Sequence, residues 1–239
     1  MRWSGPWRQA REAAILTLAG GIVVFLTACQ AGPGEPPGAE PPPSTALDTP
    51  AAPAPPPPAP TAPPASNPPP PLSADARAQL DQELIAAAKA NNAALVRELI
   101  GRGGNVNAKD ALQDSAFLYA GAEGFNEVLQ LTLAAGAAVA STNRYGGTAL
   151  IPASEHGHLE TVRILLAAGV PVNHVNNLGW TAMQEAILLN DGGPRQQDVV
   201  RQLLDAGADP DIRDPEGRTA LENAERLGFV EIADLIRAR

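Results

Sequence analysis

The chain has 239 residues, with 17 basic and 26 acidic side chains, a formal charge of −9 at pH 7 and a single cysteine. One cysteine excludes an intramolecular disulfide. The acidic balance, with no basic stripe, argues against a nucleic-acid partner, whose phosphates are read by clustered lysine and arginine.

In chain order, residues 1–12 are basic, with Arg2, Arg8 and Arg11 against the single acid Glu12, and residues 13–28 are apolar. A short basic segment, a short apolar core and small residues before Cys29 read as an export signal over residues 1–28. The apolar run of about 16 residues contains Gly20-Gly21 and falls short of the ~20 that a membrane span needs. A single-span anchor with an incidental Cys29 is the alternative.

After Cys29, residues 30–72 hold 19 of the 25 prolines and almost no large apolar side chain, so residues 29–72 are expected to form a disordered tether rather than a core. In an extended polyproline form these 43 residues reach roughly 130 Å. A spacer is the first reading; a docking ligand for a groove that reads proline helices is the second.

From Ser73 to Arg239 the pattern is helical, with 14 basic and 22 acidic residues. The stretch Asn143–Asn173 contains a turn, a short helix, a Gly157-His158 break, a second helix and Gly169 to end it. Neither helix buries its apolar side alone, which marks one unit of a repeat. Ser115, Thr148, Thr181 and Thr219 open matching helices at spacings of 33, 33 and 38. Gly103, Gly136, Gly169 and Gly207 close matching second helices at the same intervals. Five units are expected, at about 73–108, 109–141, 142–174, 175–212 and 213–239, the first and last serving as caps.

Leu84, Ala87, Ala88, Val96, Leu99 and Ile100 are expected inside unit 1. In unit 2 the expected inner residues are Phe117, Ala120, Gly121, Val128, Leu131 and Leu133. Unit 4 contributes Met183, Ala186, Ile187, Val199, Val200, Leu203 and Leu204, and unit 5 Ile232, Leu235 and Ile236. The five extra residues of unit 4 fall within Leu189–Gln197, whose Gly, Pro and Asp predict a longer loop and not a longer helix. Asp110, Asn143, Asn176 and Asp214 are placed to bond the backbone two residues on. Gly146, Gly179 and Gly217 follow three residues later, where positive φ is expected. Ser115, Thr148, Thr181 and Thr219 are expected to cap the helices that follow.

Asp/Asn-x-x-Gly-x-Thr-Ala-Leu, Gly-His-x-Glu-x-Val and Leu-Leu-x-x-Gly resemble the ankyrin repeat over residues 81–239. The resemblance implies an all-α solenoid of helix-turn-helix units with hairpin-like fingers bordering a concave face. The family's Pro is replaced by Ala at 116, 149, 182 and 220. Its His is replaced by Leu118, Ile151, Gln184 and Glu222, so the His-mediated bonds between repeats are expected to be missing. Pro152 falls in the first turn of its helix, where it removes a donor without breaking the helix.

Leu26-Thr27-Ala28-Cys29 resembles the lipobox of bacterial lipoproteins, which implies cleavage before Cys29 and its lipidation, hence a membrane anchor. Gln30, in place of an inner-membrane-retaining Asp, implies the outer membrane, with the protein facing the periplasm.

Candidate chemistry is thin. His156, His158 and His174 form no helix-face metal pair with an acid, and Ser115, Ser141 and Ser154 lack a nucleophile-elbow context. Glu123, Glu155 and Glu185 recur on first helices and read as a solvated face. No enzyme activity, metal or cofactor is expected. The ankyrin resemblance instead implies partner-binding residues: Arg144, Tyr145, Asn177, Leu178 and Trp180 on the fingers, and Glu155, His156, Leu188 and Leu189 at inner-helix ends. Aromatics beside an arginine are typical anchors, although Trp180 packing on its neighbouring finger is an equal reading. The expected function is that of a lipid-anchored periplasmic adaptor for an unknown protein partner. An immunity or inhibitor protein, an envelope spacer and a small-ligand receptor are the alternatives.

Overall fold

The computed structural model describes residues 73–239. The predicted signal, Cys29 and the proline-rich tether lie outside the described residues. Among the described residues, ten helices fall in five consecutive pairs: α1 (Ala74–Lys89) with α2 (Ala93–Gly101), α3 (Ala116–Glu123) with α4 (Asn126–Ala134), α5 (Leu150–Glu155) with α6 (Leu159–Ala167), α7 (Ala182–Leu188) with α8 (Pro194–Asp205), and α9 (Ala220–Leu227) with α10 (Val230–Arg237). First helices stack on first helices and second on second, so the described residues share one continuous core. No strand occurs among them.

Short helices of this kind are marginal alone and depend on their buried stripe. Leu84, Phe117, Leu150 and Met183 occupy one equivalent position in units 1 to 4, each at most 2% exposed. Small residues let the first helices approach closely. A Cβ on Gly121 would lie 2.7 Å from the Ala149 Cβ, so Gly121 sets the spacing between α3 and α5. In α4 the buried stripe is Val128, Leu129 and Thr132, while Leu131 and Leu133 are only partly covered. Val128 is inside as expected, whereas Leu129 and Thr132 take the places expected of Leu131 and Leu133. Thr132 is tolerated inside because its hydroxyl donates to the Leu129 carbonyl at 2.8 Å.

The turns between units are five-residue loops closed on themselves. In unit 3, Asn143 Oδ1 accepts from the amides of Tyr145 (2.9 Å) and Gly147 (3.0 Å), and the Asn143 amide donates to the Gly147 carbonyl (2.9 Å). Asp110, Asn176 and Asp214 anchor matching turns. The fourth residue of each turn has positive φ: Gly146 at 69°, Gly179 at 79° and Gly217 at 77°, but Gln113 at 62° in unit 2. A non-glycine there carries strain on the order of 1–2 kcal/mol. The glycines closing the second helices also have positive φ, between 80° and 93°.

Three expectations about the scaffold change. Ser115, Thr181 and Thr219 cap their helices through the side chain, the last two in reciprocal capping boxes with Gln184 and Glu222. Thr148 does not. The Ile151 amide turns to the Thr148 backbone carbonyl at 3.2 Å, α5 starts one residue later, and the buried Thr148 hydroxyl has no partner. The insertion in unit 4 is split. Leu189–Gly193 is loop, but Pro194 takes the first position of α8, which runs to 12 residues against nine in α2, α4 and α6. Proline suits that position because its missing N–H would have no intrahelical acceptor. Finally, the position where the family has His still makes a long-range tie: Gln184 Nε2 donates to the carbonyl of Ile212, the last residue of unit 4, at 2.8 Å.

Candidate functional site

The fingers of units 2 and 3 carry a charged and aromatic cluster. The Arg144 guanidinium lies over the Tyr145 ring, 4.7 Å from its centroid, and 3.6 Å from the Asp114 carboxylate. Lys89, at the end of α1, donates to Asp110 at 2.5 Å, lies 3.8 Å from Asp114 and sits 5.3 Å from the centroid of the Tyr119 ring. Two cations, two carboxylates and two aromatic rings thus meet across three units. Burial of Asp110 is outweighed by the Lys89 hydrogen bond and by turn amides, so its pKa is lowered. Burial wins at Asp114, whose pKa is raised although Lys89 and Arg144 pull the other way. Tyr145 remains 40% exposed.

Asn177 is exposed, and its amide bonds the Tyr145 carbonyl at 2.9 Å, which fastens finger 4 to finger 3. Leu178 and Trp180 are partly buried. The Trp180 Nε1 is shielded from solvent without a hydrogen-bond partner, so this indole is more enclosed than a projecting anchor. His174 Nε2 lies 2.6 Å from the Gly146 carbonyl and serves the same stacking of fingers.

Below the fingers, the ends of the inner helices line up. His156 Nδ1 lies 2.8 Å from the Ala122 carbonyl, and Asn190 donates to the Glu155 carbonyl at 2.8 Å, so the ends of α3, α5 and α7 are joined in a row. Glu155 and His156 are half-buried, with His156 Nε2 3.9 Å from the Glu155 carboxylate. His158 is edge-on to His156 at 5.5 Å between centroids, and burial first, then His156, lowers its pKa. Leu188 is half-buried and Leu189 is 36% exposed at the end of the row.

Glu185 departs from the solvated face expected of it. It is 6% exposed, and its carboxylate accepts from Asn176 Nδ2 at 2.7 Å. Burial, reinforced by the nearby charge of Glu155, raises its pKa to about 8. The sequence contained a signal for this. Asn176 and Glu185 are nine residues apart, as are Asp214 and Asn223, which bond in the same place at 2.8 Å. Lys89, Asp110, Asp114 and Tyr119 were also missed as members of the surface cluster, because they come from two units and three different local elements: the end of α1, the 110–114 turn and α3.

A family model for ankyrin repeats matches residues 84–176 and 117–214. The chain belongs to the ankyrin-repeat family. It resembles the crystal structure of an ankyrin repeat domain from Acinetobacter baumannii AYE, with 55% identity and a TM-score of 0.64, covering 65% of this chain and 79% of that one. It also resembles the ankyrin repeat protein EF0377, at 39% identity and a TM-score of 0.62, over 64% of this chain and 78% of that one. Over 54 residues, or 23% of this chain, it is 54% identical to the Escherichia coli K12 ankyrin repeat protein YahD, and it spans 27% of that protein's length. Ankyrin repeats are in general protein–protein interaction domains and non-enzymatic scaffolds. Among the described residues, no group of three or more His, Cys, Asp or Glu side chains is placed to hold a metal ion, and no helix is long and apolar enough to cross a membrane.

Proposed function

We propose that the repeat domain holds a partner protein on the surface formed by the fingers of units 2 to 4 and the ends of their inner helices. Arg144 and Tyr145 form its centre, flanked by Asn177, Leu178, Glu155, His156, Leu188 and Leu189. The observation that carries this reading is the stacked Arg144–Tyr145 pair. It is exposed, yet Asp114 and the turn closed by Asn143 fix its geometry, so binding costs it little ordering entropy. We further propose that the chain is exported and lipid-anchored through Cys29, so that it acts as an adaptor on the periplasmic side of an outer membrane.

Two experiments test the reading. Crosslinking and recovery from membranes compares wild type with Arg144→Ala/Tyr145→Ala. A specific protein band lost in the variant, whose thermal unfolding is unchanged, is the expected result; the same band in both would refute this surface. Cys29→Ser is expected to remain as an unprocessed precursor that takes up no labelled fatty acid. Normal maturation and fractionation of that variant would refute the anchor.

A further inference from the structure

Helix C-termini carry partial negative charge, which a cation in the last turn offsets. The terminal units follow this rule, with Lys89 in the last turn of α1 and Arg226 in the last turn of α9. The three middle inner helices have no basic residue there. Instead, α3 ends on Glu123 and α5 on Glu155. Glu123 is exposed, and no lysine or arginine pairs with either carboxylate among the described residues. Glu185 lies close enough behind for the charge of Glu155 to act on it. His156 and Asn190 lock the three helix ends side by side, so their partial negative charges share one row, beside which the Arg195 side chain packs against Gly157. Leu188 and the 36% exposed Leu189 continue that line and make its far end apolar.

We infer that this row takes a cationic, amphipathic segment of the partner protein. Its lysine or arginine side chains meet Glu123 and Glu155, and an apolar side chain next to them covers Leu188 and Leu189. The inference rests on the partner-binding reading above and assigns the chemistry of the partner. Charge complementarity selects the occupant. An acidic or neutral segment would strip water from carboxylates that no lysine or arginine offsets at negative helix ends without replacing it, whereas a cation supplies what α1 and α9 carry within their own sequences.

The test is a peptide-display selection on the full chain, run in parallel on Glu123→Gln/Glu155→Gln. That variant removes charge that opposes the helix dipoles, so its thermal midpoint is expected to stay level or rise, which guards against a misfolded control. Glu98→Gln/Glu231→Gln removes the same charge from exposed positions on second helices. Enriched peptides are expected to combine lysine or arginine with a neighbouring leucine or aromatic residue. They should bind the Glu123/Glu155 variant about ten-fold or more weakly, with a shallower salt dependence, and the Glu98/Glu231 variant as tightly as wild type. Equal loss in the two variants would overturn the proposal, because it would show attraction to net charge only. Acidic or purely apolar winners that depend on Arg144 and Tyr145 would also overturn it while leaving the binding surface in place. A selection that enriches nothing would overturn both.

Discussion

Units 4 and 5 tie their turns to their first helices with the same bond made in opposite senses. In unit 5 the turn supplies the carboxylate, Asp214, and the helix supplies the amide, Asn223. In unit 4 the turn supplies the amide, Asn176, and the helix the carboxylate, Glu185. The electrostatic results are opposite. Burial of Asp214 is outweighed by Asn223, by turn amides and by Arg218, 3.4 Å away, so its pKa is lowered. Glu185 has no cation to offset its burial and faces Glu155, so its pKa rises to about 8. The same hydrogen-bond geometry therefore gives a tie whose ionised form is favoured in one unit and one whose protonated form is favoured in the next. Unit 3 has neither, because its equivalent residue is Pro152, and its Thr148 and Ser154 hydroxyls are buried without partners. Unit 3, which carries Arg144, Tyr145, Glu155 and His156, is therefore without this tie.

The largest effect expected is on pH dependence. Below the ordinary carboxylate value Glu185 is protonated in folded and unfolded chains alike. As pH rises from about 4.5 to about 8 the unfolded chain releases a proton that the folded chain retains, so stability falls through that window and levels off above it. The loss is on the order of a few kcal/mol. Urea unfolding at pH 5, 7 and 9 checks this. Glu185→Gln should flatten the profile and leave the variant the more stable form at pH 9.

Next in size is a swap of the tie. Asn176→Asp puts a second carboxylate against Glu185 and should cost about 1–3 kcal/mol above pH 8. Adding Glu185→Gln recreates the sense used in unit 5 and should recover most of that loss in a double-mutant cycle. Additive losses would show that the two residues do not form one unit.

The caps extend the comparison to unit 3. Thr181→Ala should cost about 1 kcal/mol, because it removes a capping acceptor. Thr148→Ala should cost close to nothing, because that hydroxyl makes no bond. Equal melting losses in the two variants would contradict the structure. The smallest expected change is a gain. Gln113→Gly relieves a left-handed residue at some cost in chain entropy, for a net stabilisation of about 0.5–1 kcal/mol, read from the denaturation midpoint.

Local chemistry made the stack legible. Asp110, Asn143, Asn176 and Asp214 had to begin turns, and Gly103, Gly136, Gly169 and Gly207 had to end helices, because few other residues fit those backbone conformations. Where two local rules competed, the sequence was ambiguous. Thr148 has a cap's identity, but the helix after it starts one residue late and contains a proline. Pro194 reads as a loop residue and also as the first residue of a helix, which is what it is. Glu185 looked solvated because recurring helix charge commonly is, and only its pairing with Asn176 nine residues earlier told against that. The surface cluster of Lys89, Asp110, Asp114 and Tyr119 depends on how neighbouring units are placed, which spacing within one unit does not encode. Trp180 was an even choice between anchor and packing, and the enclosure of its Nε1 favours packing.

The central claim is that partners bind across the unit 3 finger and the inner-helix ends. Its most direct test places a photo-crosslinking amino acid in the full chain, expressed in cells, at position 145 in one protein and at position 163, on the exposed side of α6, in another. A specific partner adduct from position 145 and none from position 163 is the predicted result. An adduct of equal yield from both positions, or from 163 alone, would contradict it.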